Sequence, residues 1–168
     1  MDFKMKRCLA AILSLMLLLA LLPAQADTLS EDEFLLLGET GLAMWISPEL
    51  KAVPLDEEML QAGYIGYFED EKTGSTLDIL LTANEQLTLE TYVAFLREAD
   101  IGAEEIKTET VNGIPCVTWV FRDETTAVKQ LAWVGDNCDL LVLSFVPYSD
   151  PAFAAKTDVM IGSLKKAQ

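Results

Sequence analysis

The side chains able to do chemistry in this chain are carboxylates, thiols and strand aromatics, because its 168 residues include no histidine. That absence removes Ser-His-Asp and Cys-His nucleophilic catalysis and every histidine-ligated metal. No phosphate-binding loop of Walker or Rossmann type occurs, and no G-x-S-x-G elbow. Asp and Glu together number 27, and a glycosidase needs only two of them on opposed walls of a cleft. Abundance therefore leaves a small carboxylate-dependent hydrolase open as an alternative without indicating its pair.

Hard cations want several oxygen ligands. Glu69-Asp70-Glu71 with Asp78, and Asp136-Asn137 with Asp139, are the clusters that could offer them. Neither has the spacing of an EF-hand loop. They read as solvated hairpin turns, with a calcium-stabilised structural module as a further alternative. No cofactor and no metal ligand is assigned. The aromatics Trp45, Tyr64, Tyr67, Phe68, Trp119, Phe121 and Trp133 fall in expected strands, where core packing explains most of them. Trp119 and Phe121 share strand parity, as do Leu131 and Trp133. One such pair would line a groove if a sheet face were left uncovered.

Two thiols follow residue 26, Cys116 and Cys138. Their even number suits a disulfide in an oxidising compartment. Geometry opposes it. Ile114–Arg122, Val128–Val134 and Asp139–Val146 read as consecutive antiparallel strands, with Cys116 on the first and Cys138 in the turn before the third. Strands two apart are separated by about 9–10 Å, whereas a disulfide needs Cα atoms within about 7 Å. Two free thiols are the favoured reading, and the bond stays open. No C-x-x-C redox motif exists.

The N-terminus carries an address. Lys4, Lys6 and Arg7 precede an apolar run from Cys8 to Leu22, and Ala24-Gln25-Ala26 closes it. This is the anatomy of a cleaved signal peptide over residues 1–26. The apolar run is about 15 residues, against roughly 20 for a membrane span. No cysteine follows it to take a lipid. The expectation is a secreted or periplasmic protein with no membrane span after cleavage and one domain over residues 27–168. Losing Lys4, Lys6, Arg7 and Asp2 would leave 9 basic and 26 acidic groups, a net charge of −17. Such a field repels nucleic acid and anionic lipid and favours cationic partners.

The elements that must position these residues come in hairpins. Phe34–Leu37 fits a short helix behind a Ser30–Glu33 capping box, or a strand paired with Leu42–Ile46; the hairpin is preferred. Asp56–Ala62 suits one or two helical turns. Gly63–Glu69 and Thr76–Thr82 form the next hairpin, with Leu77, Ile79 and Leu81 on one face and Asp78 on the other. Thr88 caps a helix over Leu89–Ala99 whose apolar face is Leu89, Tyr92, Val93, Leu96 and Ala99. Ile106–Val111 turns through Asn112-Gly113 into the three-strand meander. Asp150-Pro151 opens a last helix with Phe153, Thr157, Met160, Ile161 and Leu164 buried and Lys165 and Lys166 at its C-terminus. Consecutive hairpins with two main helices define an α+β class, an antiparallel sheet packed by helices.

This order resembles the PsbP-like fold, which occurs in an extrinsic subunit of photosystem II, a Ran-binding import factor and small secreted bacterial proteins. The resemblance lies in Gly41-Leu42-Ala43-Met44-Trp45-Ile46-Ser47-Pro48, Thr88-Leu89-Glu90-Thr91-Tyr92, Val111-Asn112-Gly113-Ile114-Pro115 and Ile161-Gly162-Ser163-Leu164. It spans about Leu42 to Leu164 and rests on order more than identity. It implies a non-enzymatic binding or accessory module for a protein or envelope component, with no shared catalytic residues. The photosystem and Ran partners do not carry over, since fold alone does not license function.

Overall fold

The computed structural model describes residues 34–167; the expected signal segment and the Ser30–Glu33 cap lie outside the described residues. Among the described residues, two antiparallel sheets and three helices form an α+β fold. β1 (Phe34–Leu36) and β2 (Leu42–Trp45) make the expected hairpin, with Leu35 opposite Met44. A larger sheet contains β3 (Lys51–Ala52), β4 (Tyr64–Asp70), β5 (Ser75–Ala83), β6 (Glu104–Val111), β7 (Ile114–Arg122), β8 (Ala127–Val134) and β9 (Asp139–Val146). Its spatial order is β3-β4-β5-β9-β8-β7-β6. β5 and β9 lie side by side at its centre, joining the early hairpin to the later meander. The helices are α1 (Glu57–Gln61), α2 (Leu89–Glu98) and α3 (Pro151–Gly162), and β10 (Lys165–Lys166) closes the small sheet beside β2.

Local chemistry explains the boundaries. In the β6–β7 turn Asn112 and Gly113 both have positive φ, 49° and 82°. That is the pair a two-residue hairpin loop demands, and Asn and Gly tolerate it best. Thr88 and Thr91 exchange side-chain and backbone hydrogen bonds in a capping box at the start of α2. The Asp150 carboxylate accepts the N–H groups of Ala152 and Phe153 at 2.8 and 2.9 Å, satisfying donors that α3 would otherwise leave unpaired.

Both faces of the large sheet are used. Leu77, Ile79, Leu131, Leu141, Leu143 and Phe145 pack on one face against α3 and the small sheet. Phe153, Thr157, Met160 and Ile161 are buried there, as their helical spacing predicts; Leu164 is buried too, but from beyond the helix end and not on its stripe. Each fully buried large apolar side chain contributes about 1.5–3 kcal/mol. On the other face Val93 and Leu96 of α2 pack on Val117, Trp119, Ala132 and Val142.

The structure corrects the sequence at three places. Lys165 and Lys166 do not end the last helix. They form β10, with Lys165 opposite Ala43 and Lys166 opposite Leu42. Ser163 caps the helix still in helical conformation, its N–H reaching back to Val159 O and Met160 O, its hydroxyl donating to Met160 O at 2.6 Å and accepting from the Trp45 N–H at 2.9 Å. Ala99 caps α2 in an extended conformation and does not extend its apolar face. β3 has no counterpart in the sequence reading; it is a two-residue edge strand set between Pro48 and Pro54, too short to leave a periodic signal.

Candidate functional site

Strand parity decides what the α2 face carries. Trp119 and Phe121 lie two residues apart on β7 and so share it. The pairings extend that position across the sheet: Trp119 lies opposite Gln130, Gln130 opposite Ser144, Ser144 opposite Asp78, and Asp78 opposite Tyr67. One row therefore crosses β7, β8, β9, β5 and β4. The row beneath α2 is apolar, running Val117, Ala132, Val142 and Leu80. The row on the other side runs Phe121, Val128 and, on β9 and β5, Val146 and Thr76.

The helix α2 packs mainly on β6 and β7, over the Trp119 end of the polar row. Trp119 is 2% exposed. Tyr67, Asp78, Gln130 and Ser144 are half-buried. Aromatic rings continue from the row to the surface. Phe121 meets Trp119 edge-on at 6.3 Å, Trp119 meets Tyr92 edge-on at 5.9 Å, and Tyr92 stacks on Phe95 at 6.2 Å. Phe95 is 52% exposed. Such ring pairs add about 0.5–1.5 kcal/mol each beyond area burial.

Polar groups within the row are unevenly satisfied. Gln130 Nε2 donates to Ser144 Oγ at 2.7 Å. Asp78 Oδ1 and Trp119 Nε1 are buried and have no hydrogen-bond partner among the described residues. Leaving such groups unpaired costs roughly 1–3 kcal/mol apiece. Burial pushes the Asp78 carboxyl above its ordinary value. The Tyr67 phenol is also raised, first by burial and then by the negative charges of Glu69 and Asp78. The row thus offers one anion short of partners, one unpaired N–H donor, and aromatic walls at both ends.

The other sequence candidates are placed elsewhere. Leu131 and Trp133 share the α3 face and pack in or against its core; the half-buried Trp133 also lines a shallow pocket with Gly41, Pro115 and Asp136, away from the Trp119 row. Trp45 and Phe68 pack against that same core. Asp70 does not join Asp78: its carboxylate caps its own turn, accepting from Lys72 N at 3.0 Å and Thr73 Oγ1 at 2.9 Å. Those bonds hold its carboxyl below the ordinary value. Among the described residues no three acid or cysteine side chains converge to hold a metal. Cys116 and Cys138 are both free thiols. Burial, aided by the charge of Glu109, pushes the Cys116 thiol up to about 11. Ser163 and Lys166 stand at the S-x-x-K spacing of some acyl-transfer enzymes, a match the sequence reading missed. The Ser163 hydroxyl is already committed to Met160 O and the Trp45 N–H, so it offers no nucleophile.

No protein-family model matches this chain, and no curated protein does. A crystal structure from Bacteroides thetaiotaomicron VPI-5482 is similar, at 14% identity with a TM-score of 0.49, covering 76% of this chain and 45% of that one. The chain thus spans under half the length of that structure. No helix among the described residues is long and apolar enough to cross a membrane.

Proposed function

We propose that this is a secreted, non-enzymatic binding module of PsbP-like kind that receives a basic segment of a partner protein on the half-open row Trp119–Gln130–Ser144–Asp78–Tyr67. The observation that carries this reading is the buried, unpartnered Asp78 oxygen in a row flanked by aromatics. A Lys or Arg side chain would supply the missing donor to Asp78 and lie against the Tyr67 ring, an arrangement worth about 0.5–2 kcal/mol beyond the ion pair. The net charge of −15 selects for a cationic partner and speeds its approach. The basic and apolar N-terminal segment, read as a signal peptide, supports an encounter outside the cytoplasm. Catalysis is not part of this reading: the row presents a single acid, and the Ser144 hydroxyl opposite it is held by Gln130 at 2.7 Å, with no hydrogen bond to Asp78 among the described residues.

A synthetic tetralysine peptide tests it by NMR. Binding should shift the Trp119 indole and Asp78 carboxyl signals together. Asp78→Asn should remove those shifts, whereas Glu58→Gln, on α1, should keep them. Shifts scattered over the acidic surface and indifferent to Asp78→Asn would mean general charge attraction and would reject the site.

A further inference from the structure

The large sheet ends differently on its two sides. At one edge β3 is two residues long and lies between Pro48 and Pro54. At the other, β6 pairs with β7 alone among the described residues, and its outer edge is open. Such edges are usually blunted by bulges and charge. Here the bulge lies between Glu104 and Lys107, where Glu105 has a φ of 52°, and Arg122 takes up Glu104 and Glu105 as ion pairs. Residues 107–111 remain a regular run, each opposite one of residues 114–118.

Register fixes which backbone groups this edge presents. Val111 and Ile114 flank a two-residue loop, so they bond to each other, as do Glu109 with Cys116 and Lys107 with Thr118. The N–H and C=O groups of Thr108 and Thr110 therefore point away from β7. Pro115, which has no N–H to give, sits opposite Thr110 as this parity requires. The side chains have a symmetry of their own. Lys107, Thr108 and Glu109 are all exposed, with threonine between a base and an acid. Among the described residues neither Lys107 nor Arg97 forms an ion pair, and the Thr118 hydroxyl engages one oxygen of Glu109. Beside Thr108, on the α2 face, lies an open, mainly apolar groove of about 630 Å³ lined by Leu89, Glu90, Val93, Arg97 and Pro115.

We propose that the β6 edge is where a second copy of this chain docks, its own β6 running antiparallel across a two-fold axis at Thr108. Thr108 meets Thr108 and exchanges two backbone hydrogen bonds, while Lys107 of each copy meets Glu109 of the other. Centring on Lys107 or on Glu109 sets like charges against each other. Centring on Thr110 leaves Lys107 and Thr108 opposite the Asn112-Gly113 turn. In a chain of 27 acids and 12 bases, a register that brings no acid against acid is not the default. The helices agree with that axis. α2 lies over β6 and β7, about one strand spacing from the edge, so its copy lies about 10 Å away, the distance of packed helices. The axis reverses the helix direction, which brings Glu90 of one copy toward Arg97 of the other and closes the two grooves against each other.

Sedimentation velocity tests the pairing on the protein lacking residues 1–26, whose apolar run would associate by itself; the described fold lies wholly within the remainder. A monomer–dimer equilibrium is expected between low micromolar and near-millimolar concentration. Thr108→Pro removes an N–H that faces solvent in the single copy, which an edge strand tolerates, and should weaken the dimer about tenfold or more. Lys107→Glu and Glu109→Lys should each weaken it severalfold, because each sets like charges across the axis twice. Mixed together, those two variants should form a heterodimer at least as tight as the parent, since every cross-axis pair is again a base and an acid. Monomer at every concentration overturns the proposal. A dimer that persists in Thr108→Pro, or a mixture of the charge variants that associates no better than either alone, places the contact elsewhere and overturns the β6 assignment.

Discussion

Asn112 clasps the end of the last helix: its side-chain amide donates to the carbonyls of both Gly162 and Leu164 at 2.9 Å. The residue that shapes the β6–β7 turn thus also satisfies carbonyls that α3 leaves unpaired. The clasp holds the point where the chain leaves α3 for β10, joining the large sheet to the small one. Asn112→Asp keeps a residue tolerant of the positive φ but replaces the donor by a carboxylate facing two carbonyl oxygens. The expected loss is about 1–3 kcal/mol, read as a lower denaturation midpoint at unchanged slope. Asn112→Gly, which keeps the turn and removes the donor without adding charge, should cost less. Equal stability of all three proteins would show that the clasp contributes nothing.

Leu164, whose carbonyl that amide holds, has a fully buried side chain among Met160, Ile161 and Met44 of the same core. Leu164→Asp places an unpaired carboxylate there and should cost more than about 4 kcal/mol, enough to unfold a domain of ordinary stability. Leu164→Ala creates a cavity and should cost about 2–5 kcal/mol. Thermal melts of the two variants check the order. If Leu164→Asp melts within a few degrees of the parent, the packing of α3 and β10 is not as described.

A steric prediction concerns Gly135, which follows β8. A Cβ built there would lie 2.6 Å from Cη2 of Trp133, and the indole is held against the core. A rigid ring cannot yield as a flexible chain end can, so Gly135→Ala should cost about 1–3 kcal/mol by overpacking. The φ of Gly135 is not in the left-handed region, so the effect isolates sterics from backbone strain. The double variant Gly135→Ala with Trp133→Leu should recover part of the loss. No recovery would place the cost elsewhere.

Most of this architecture was readable from residue pattern, and the parts that were not share a cause. Asn112-Gly113, Thr88 and Asp150-Pro151 are local signals whose chemistry is complete within a few residues, and they mark the observed turn and caps. Alternation on β7, β8 and β9 likewise assigns sheet faces without knowledge of neighbours. The fate of Lys165 and Lys166 was not local, because it depends on Trp45 reaching Ser163 across 118 positions. The cross-sheet row was hidden for the same reason. Parity placed Trp119 beside Phe121, but only the central pairing of β5 with β9 brings Asp78 and Tyr67 into line with them.

The two cysteines differ in environment, and chemistry should report it. Cys116 is fully buried, with its thiol pushed up to about 11, so at pH 8 it is almost wholly protonated and shielded. Cys138 is half-buried at the β8–β9 turn. In the protein lacking residues 1–26, and with them Cys8, Ellman's reagent at pH 8 should therefore modify one thiol per chain quickly in the native state. The second should react only on unfolding, giving two in denaturant without reductant. Cys138→Ser should abolish the fast phase. Finding no thiol in denaturant would show that the pair is oxidised in solution.

The last expectation concerns pH and separates two kinds of carboxylate. Asp78 has a folded-state pKa raised above its ordinary 3.8 by burial. The folded state therefore holds its proton more tightly than the unfolded chain, and the carboxyl opposes stability least at low pH. As pH rises from 3.8 through the raised folded value, ionisation costs the native state more than the unfolded one, and stability is lost. Asp123 is the reverse case. Its carboxylate accepts from Thr125 N–H, Thr125 hydroxyl and Thr126 N–H, which hold its pKa below 3.8. Its contribution is present above 3.8 and disappears as pH falls through the lowered folded value. Asp78→Asn should thus raise the melting temperature at pH 7, with the gain shrinking toward pH 3. Asp123→Ala should lower it at pH 7, with the loss shrinking at acid pH. Melting curves of the two variants against pH should converge on the parent from opposite sides. If Asp78→Asn destabilises at pH 7, the carboxylate has a stabilising partner, and the vacancy on which its binding role rests does not exist.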